Sequence, residues 1–190
     1  MPLPDDRLHL YEAVIAEAWS DGDPRRETLE AAAWHLIAER EAREDNRLRA
    51  DDISADLLDI LESASTRAGR WVRLVQKVPG ANEGTYEFVH DQMHAYLAAH
   101  WFARRTDISA MRRLLADAKG LRDRGLEGQR TTWAFVAAML DRSSIEALWI
   151  DAHAKETPWP MLAQALADRA SAEHWPLTLP PETRELGLVA

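Results

Sequence analysis

The sequence predicts a mainly α-helical chain, in which a winged-helix-like domain is followed by an α-helical, solenoid-like segment. Three observations predict this fold class. Apolar residues recur at helical spacing along most of the 190 residues, a stretch after residue 70 alternates instead, and the helical period then returns at once. Three helices plus a two-stranded β-hairpin are the elements of a winged helix. We expect the winged-helix-like domain at 1–104, the helical segment at 105–175 and an extended tail at 176–190.

Apolar spacing predicts three helices before the hairpin. Asp23 followed by Pro24 marks the start of the second helix, because aspartate caps a helix and proline suits its first position. The stretch 39–52 is rich in charges of both signs, which predicts a solvated helix end and a loop. The three helices are expected at 6–19, 24 to about 44, and 53–67.

The hairpin is predicted from a change of period. Val72, Leu74 and Val78 alternate with charged residues, which is typical of a strand, and Gly80 and Gly84 lie in the turn region that follows. We expect strands at about 70–78 and 84–90. A helix with the apolar stripe Met93, Tyr96, Leu97 and Trp101 comes next, and further helices are expected at about 107–119, 129–141, 144–154 and 159–172.

Composition excludes several classes of protein. The net charge of −9 argues against nucleic acid as a partner, because nucleic-acid-binding modules present a basic face. The chain contains no cysteine, which excludes disulfides and thiolate metal ligands. Its longest apolar run, Trp133 to Leu140, is far too short to span a bilayer, and its first residues lack an apolar leader. We expect no membrane partner and a cytoplasmic location.

The familiar catalytic motifs are missing. The sequence contains no G-x-x-x-x-G-K-[ST], and therefore no P-loop, and it contains no G-x-G-x-x-G, G-x-S-x-G or H-E-x-x-H. We predict that this chain is not itself an enzyme.

His90 and His94 are four residues apart, a spacing that puts both imidazoles on one face of a helix and suits a metal site. No third ligand is evident, because His100 lies nearly three turns beyond His90. We therefore predict no metal here, and expect one imidazole to line the helix start and the other to be exposed.

His90 fits a different role better. It falls where the second hairpin strand should end and a helix should begin. The free N–H groups and the dipole at a helix N-terminus attract anions, and a histidine there can donate a hydrogen bond to a phosphate oxygen. His90 is therefore the candidate phosphate-binding residue, although the rest of such a site must come from elsewhere.

The residues around His90 resemble a known family. The segment YEFVH at 86–90, followed by YLAA at 96–99, resembles the end of the winged-helix domain in NACHT-type signal-transduction ATPases of the STAND class, which include the NOD-like receptors. The family pattern is roughly F-x-H-x-x-F-x-E-Y-L-A-A. Met93 replaces its middle aromatic residue, and Ala95 stands where the family usually has Glu. The LYE at 10–12 and the stretch 70–75 are looser matches.

The resemblance implies a role in a nucleotide switch. In such proteins the matching histidine contacts the β-phosphate of ADP and holds the winged helix against the nucleotide-binding domain, until exchange for ATP permits oligomerisation. Carried over, His90 contacts the ADP phosphate. The nucleotide-binding domain, with ADP or ATP and Mg²⁺, would belong to the same or a partner chain. The expected function is then that of a non-catalytic regulatory fragment which forms homo-oligomers on activation.

Two alternatives remain open at this point. The chain could be a standalone helical protein–protein interaction module with Trp149, Trp159 or Trp175 as anchors, although tryptophans spread in this way usually pack between helices. It could also be a winged-helix DNA-binding protein whose recognition helix is 53–67. That helix carries three acidic residues, and the nearby basic cluster is Arg67, Arg70 and Arg73.

Overall fold

The computed structural model describes residues 5–38, 47–49, 54–67, 74–80, 84–105, 107–118, 127–153 and 159–178. In these ranges the chain is mainly helical, as predicted, with eight α-helices and a small antiparallel sheet of three strands. In chain order the elements are α1 Asp5–Ala18, α2 Pro24–Ala38, β1 Arg47–Arg49, α3 Ala55–Arg67, β2 Val75–Lys77, β3 Thr85–Phe88, α4 Asp91–Ala103, α5 Ile108–Asp117, α6 Glu127–Met139, α7 Arg142–Ala152 and α8 Pro160–Ala172.

Most helices begin where short polar residues can cap them. Asp107 accepts a hydrogen bond from the Ser109 amide at the start of α5, and Asp141 accepts one from the Ser144 amide at the start of α7. Pro24 is the first residue of α2, as expected. Helices α4 and α8 differ, because the side chains of their N-cap residues, His90 and Trp159, make no capping hydrogen bond.

The sheet has the order β1-β3-β2, with β3 in the middle. Leu48 of β1 lies opposite Tyr86 of β3, and Val75 of β2 lies opposite Phe88. Gly80, in the turn between β2 and β3, has φ of +75°, a left-handed conformation that glycine adopts without steric cost.

Strand β1 corrects the prediction that 39–52 is only a helix end and a loop, and the sheet has three strands rather than two. The strand reads Arg-Leu-Arg, so a single apolar residue, Leu48, points to the core and is 4% exposed. Three residues are too few to show a period. Pairing with β3, almost forty residues later, is not a local signal in the sequence.

The predicted bounds of other elements shift by a few residues. The hairpin strands are shorter than expected and end at Lys77 and Phe88, and α2 is described as far as Ala38. Residues 176–178 have no regular secondary structure. The remaining parts of these predictions, at 39–46, 70–73 and 179–190, lie outside the described residues.

A single hydrophobic core runs through the described residues, from Ile15 on α1 to Leu166 on α8. Helix α4 lies at its centre and packs on both α2 and α6. Next to it, aromatic rings from three helices and from the N-cap residue of α8 meet edge to face or tilted, with centroids 5.2 to 6.2 Å apart: Trp34, Phe102, Trp133 and Trp159. Core residues come from both sides of residue 104, and the expected domain boundary there stays a prediction.

The helices of the described ranges include none that combines the length and the apolar character needed to cross a bilayer.

Replacing Leu48 tests whether β1 contributes to the core. We expect Leu48→Ala to lower the free energy of unfolding by about 2–4 kcal/mol, because it leaves a cavity under the sheet. Urea denaturation followed by circular dichroism measures this loss. The control is Arg47→Ala on the same strand, whose exposed ion pair with Glu87 should contribute within about 0.5 kcal/mol. Equal losses in the two variants would contradict the burial of Leu48.

Candidate functional site

His90 lies at the junction that the sequence predicts. Strand β3 ends at Phe88, the Val89 amide donates to the Leu74 carbonyl at 3.1 Å, and α4 begins at Asp91. His90 itself is extended, with φ of −132° and ψ of 126°, and its carbonyl accepts from the His94 amide at 3.1 Å. Its side chain is exposed. The imidazole therefore stands at a helix N-terminus, where an anion in solution can reach it.

The first turn of α4 carries one negative charge of its own. Asp91 is exposed and is the first residue of the helix, where a carboxylate interacts favourably with the helix dipole. The same charge repels a phosphate placed beside it. An anion bound at this N-terminus is therefore favoured only if further positive groups offset Asp91, and His90 by itself does not form a complete site.

His94 does not behave as expected for an exposed partner of His90. It is only 4% exposed, its Nε2 lies 2.9 Å from the Ala33 carbonyl oxygen, and its ring stacks on Phe88 with centroids 4.4 Å apart. The ring thus links α4 to α2 and β3. Within the described ranges, no group of three or more His, Asp or Glu residues is placed to hold a metal ion.

Ala95, which stands where the family pattern has Glu, is 2% exposed and packs in the core. A carboxylate at this position would be removed from water, which costs several kcal/mol unless it is paired. The small apolar residue therefore suits the packing around α4.

A buried charge network lies on the polar side of α4 and was not predicted. We call it the α1–α2–α4 network. It joins one residue of α1, three of α2, two of α4 and the C-cap residue of α4: Glu12, Arg26, Glu27, Glu30, Tyr96, His100 and Arg104. Glu30 is 0% exposed and Arg26 is 1% exposed, so both charges depend on protein partners rather than on water.

Arg26 is paired on both sides of its guanidinium. Its Nη1 and Nη2 each donate to one carboxylate oxygen of Glu12 at 2.9 Å, and its Nε donates to Glu30 at 2.8 Å. The Tyr96 hydroxyl donates to the same Glu12 carboxylate at 2.5 Å. Two parallel N–H donors facing two oxygens are the strongest geometry for an arginine–carboxylate pair.

Glu30 is the buried carboxylate at the centre of the network. Besides the Nε of Arg26, its Oε1 faces the His100 Nδ1 at 2.9 Å, and its Oε2 accepts from Arg104 at 3.2 Å. Arg104 also donates to Glu27 at 2.5 Å. Glu30 thus ties α2 to the last turn of α4 by several contacts at once.

These contacts shift the ionisation of both carboxyls. The hydrogen bond from Arg26 lowers the pKa of Glu12 more than its partial burial raises it. Burial raises the pKa of Glu30, but His100 and Arg26 together outweigh it and leave this pKa below its ordinary value. Burial and the bond to Glu12 raise the pKa of Tyr96. Both carboxyls therefore stay ionised near neutral pH, and Tyr96 stays protonated and donates.

One signal in the sequence could have revealed this network. Tyr96, His100 and Arg104 are spaced by four and share a face of α4, while Arg26 and Glu30 are also four apart on α2. Such polar stripes usually face solvent, and only the packing of α1 and α2 onto α4 shows that they face each other.

The structure also shows the surroundings of several residues on which the interaction-module and DNA-binding hypotheses depend. Trp159 is 6% exposed, and Trp149 and Trp175 are partly buried against the core. On α3, Asp56, Asp59 and Glu62 are exposed, and Glu62 accepts a hydrogen bond from Tyr86 at 3.1 Å. The surroundings of Arg67, Arg70 and Arg73 lie outside the described residues.

Comparison with known proteins finds no family, no curated sequence and no solved structure that matches this chain.

Removing the carboxylate of Glu30 tests how much the α1–α2–α4 network contributes to the free energy of unfolding. We expect Glu30→Gln to lower the free energy of unfolding by roughly 3–5 kcal/mol, because it breaks buried ion pairs while preserving the volume of the side chain. Glu146→Gln is the control, since its pair with Arg142 has the same spacing but both side chains are about half exposed (47% and 52%). Similar losses in the two variants would show that burial adds nothing to the Glu30 contacts.

The network also predicts how stability depends on pH. The folded-state pKa values of Glu12 and Glu30 lie below their ordinary 4.5, so the unfolded chain binds more protons as the solution becomes acidic. Their contribution is complete above the unfolded pKa and is lost as the pH falls through the folded one. In thermal melts from neutral pH to about pH 3, the wild type should lose stability more steeply than Glu12→Gln. Parallel losses would rule out the carboxyl of Glu12 as a source of this acid sensitivity.

Proposed function

We propose that this chain is a non-catalytic regulatory module of a NACHT/STAND-type signal-transduction ATPase, and that His90 contacts the phosphate of ADP held by a nucleotide-binding domain. The observation that carries the proposal is the position of His90, which is exposed and extended at the junction between β3 and α4. The resemblance of residues 86–99 to the family pattern supplies the identity of the ligand.

The arrangement of the elements supports the winged-helix part of the proposal. Helices α1 to α3 come before the β2–β3 hairpin, β3 pairs with both other strands, and α4 follows directly. We propose that these elements form the winged-helix-like unit and that α5 to α8 form a solenoid-like segment. In such a unit the wing and the start of α4 lie at one end, which is where a second domain could meet His90.

The nucleotide itself would be held mainly by the other domain. One hydrogen bond to a charged phosphate contributes roughly 1.5–3 kcal/mol, far less than the affinity of a nucleotide site. The proposal therefore places the P-loop, the Mg²⁺ ligands and any ATP hydrolysis in that domain. Exchange of ADP for ATP would remove the contact with His90 and permit oligomerisation.

The two alternatives have less support. Trp159 is buried, and Trp149 and Trp175 are partly buried. Among the described residues the exposed large apolar side chains are Leu10 and Ile150, which offer few anchors to a partner. The exposed acidic residues of α3 repel nucleic-acid phosphates.

ADP titration tests the role of His90. We expect the isolated chain to bind ADP with a dissociation constant above about 1 mM, since it offers a single imidazole. Produced together with the coding sequence upstream of Met1, it should bind tightly, and His90→Ala should weaken binding by roughly 10- to 100-fold. Isothermal titration calorimetry measures both.

The matched control is His9→Ala. This variant removes a different exposed histidine, which lies on α1, and should leave ADP binding unchanged. Unchanged affinity after His90→Ala would contradict the phosphate contact. The lack of a P-loop both upstream of Met1 and in every chain that this one binds would contradict the assignment to this class of ATPase.

A further inference from the structure

The two partners in the Arg26–Glu12 pair differ sharply in burial. The Arg26 side chain is 1% exposed, whereas the Glu12 side chain is 43% exposed. The guanidinium thus belongs to the core formed by α2 and α4, and the carboxylate is brought to it from the outer helix α1. The cation is a fixed part of the interior, and the anion covers it from the solvent side.

The donors around the Glu12 carboxylate form a receptor of defined shape. Two nitrogens of Arg26 meet its two oxygens at 2.9 Å, and the Tyr96 hydroxyl adds a third donor. The Nε2 of His100 lies 3.3 Å from the Arg26 Nη2, on the same side. The planar fork of arginine matches a carboxylate in particular, because both groups are flat and their atoms pair two to two.

The two halves of helix α1 differ in burial. Towards its C-terminus, Ile15 and Trp19 are 0% and 2% exposed. In the N-terminal half Arg7 and His9 are exposed, and Leu10 is 59% exposed. Leu8 and Tyr11 of this half are partly buried and pack against the core, and two adjacent residues add polar contacts.

These two residues are Tyr11 and Glu12. The Tyr11 hydroxyl donates to Gln92 at 2.6 Å, and its ring packs near Tyr96 and Phe135. Glu12 supplies the charged contact. The N-terminal half therefore combines apolar packing of Leu8 and Tyr11 with polar bonds that are partly open to water.

We propose that Arg26 and Tyr96 form a carboxylate-binding site which Glu12 fills from within the chain, so that residues 7–12 act as a strap that a carboxylate from outside can displace. The ligand class is a carboxylate, such as an acidic side chain or a small organic acid. Displacement would uncover Arg26 while Ile15 and Trp19 keep the rest of α1 in place. This inference does not depend on the proposed role of His90.

Chemical rescue tests the site. Glu12→Ala vacates the fork, leaves a buried guanidinium with Glu30 alone, and should lower the melting temperature by roughly 5 °C or more. Sodium acetate should restore a large part of this loss, in proportion to the logarithm of its concentration, because it binds the folded state only. Sodium chloride at the same ionic strength should not, since it only screens charge.

Two variants serve as controls. Glu12→Gln removes the charge but keeps the fork filled, so acetate should not rescue it. Glu146→Ala vacates an exposed ion pair with Arg142 and should show no difference between acetate and chloride. Equal effects of acetate and chloride on Glu12→Ala, or rescue of all three variants alike, would overturn the carboxylate site.

The strap is tested in the wild type, which requires no variant to fold. Hydrogen exchange of the backbone amides of residues 7–12 should accelerate in concentrated acetate relative to chloride of equal ionic strength, while those near Trp19 stay protected. High concentrations are needed because Glu12 competes from within the chain. No acceleration in acetate would overturn displacement, and acceleration of the whole of α1 and α2 would show general destabilisation instead.

Discussion

The buried guanidinium of Arg26 requires carboxylate partners, and this requirement constrains how α1, α2 and α4 pack. A cation removed from water costs several kcal/mol, and it is tolerated here because carboxylates from two helices meet it on both sides. Each carboxylate has partners of its own on α4. Since ion pairs and hydrogen bonds are directional, the network fixes the rotation of α4 about its axis relative to α1 and α2.

Helix α4 combines three environments along one short segment. Its first residues are exposed next to His90, its middle is buried on nearly all sides, and its last turns carry the polar stripe that meets α2. A helix that is apolar almost all round is typical of the centre of a bundle, with layers packed on more than one side. The buried stretch from Met93 to Ala99 thus anchors α4 in the core. The start of the helix next to His90 and the polar stripe that meets α2 lie on either side of this stretch.

Much of this fold can be predicted from residues that act locally. Helix periods and proline or aspartate at helix starts place most helices to within a few residues, and the change of period places the hairpin and His90 between strand and helix. What escaped prediction depends on contacts between distant segments. Leu48 pairs with a strand far along the chain, His94 stacks on Phe88, and Arg26 meets Glu12 from another helix. Nothing in a single helix tells whether a polar stripe faces water or another polar stripe.

The short strand β1 has a consequence for how copies of this chain behave in concentrated solution. Among the described strands, β1 lies at the border of the sheet, where unpaired backbone groups could recruit a strand from another molecule. Its described residues are Arg47, Leu48 and Arg49, so arginine stands on both sides of the leucine. The positive charges disfavour such edge-to-edge association. The two arginines leave no apolar alternation by which the strand could be predicted from the sequence. The same two charges also oppose the aggregation of copies of the chain through this edge.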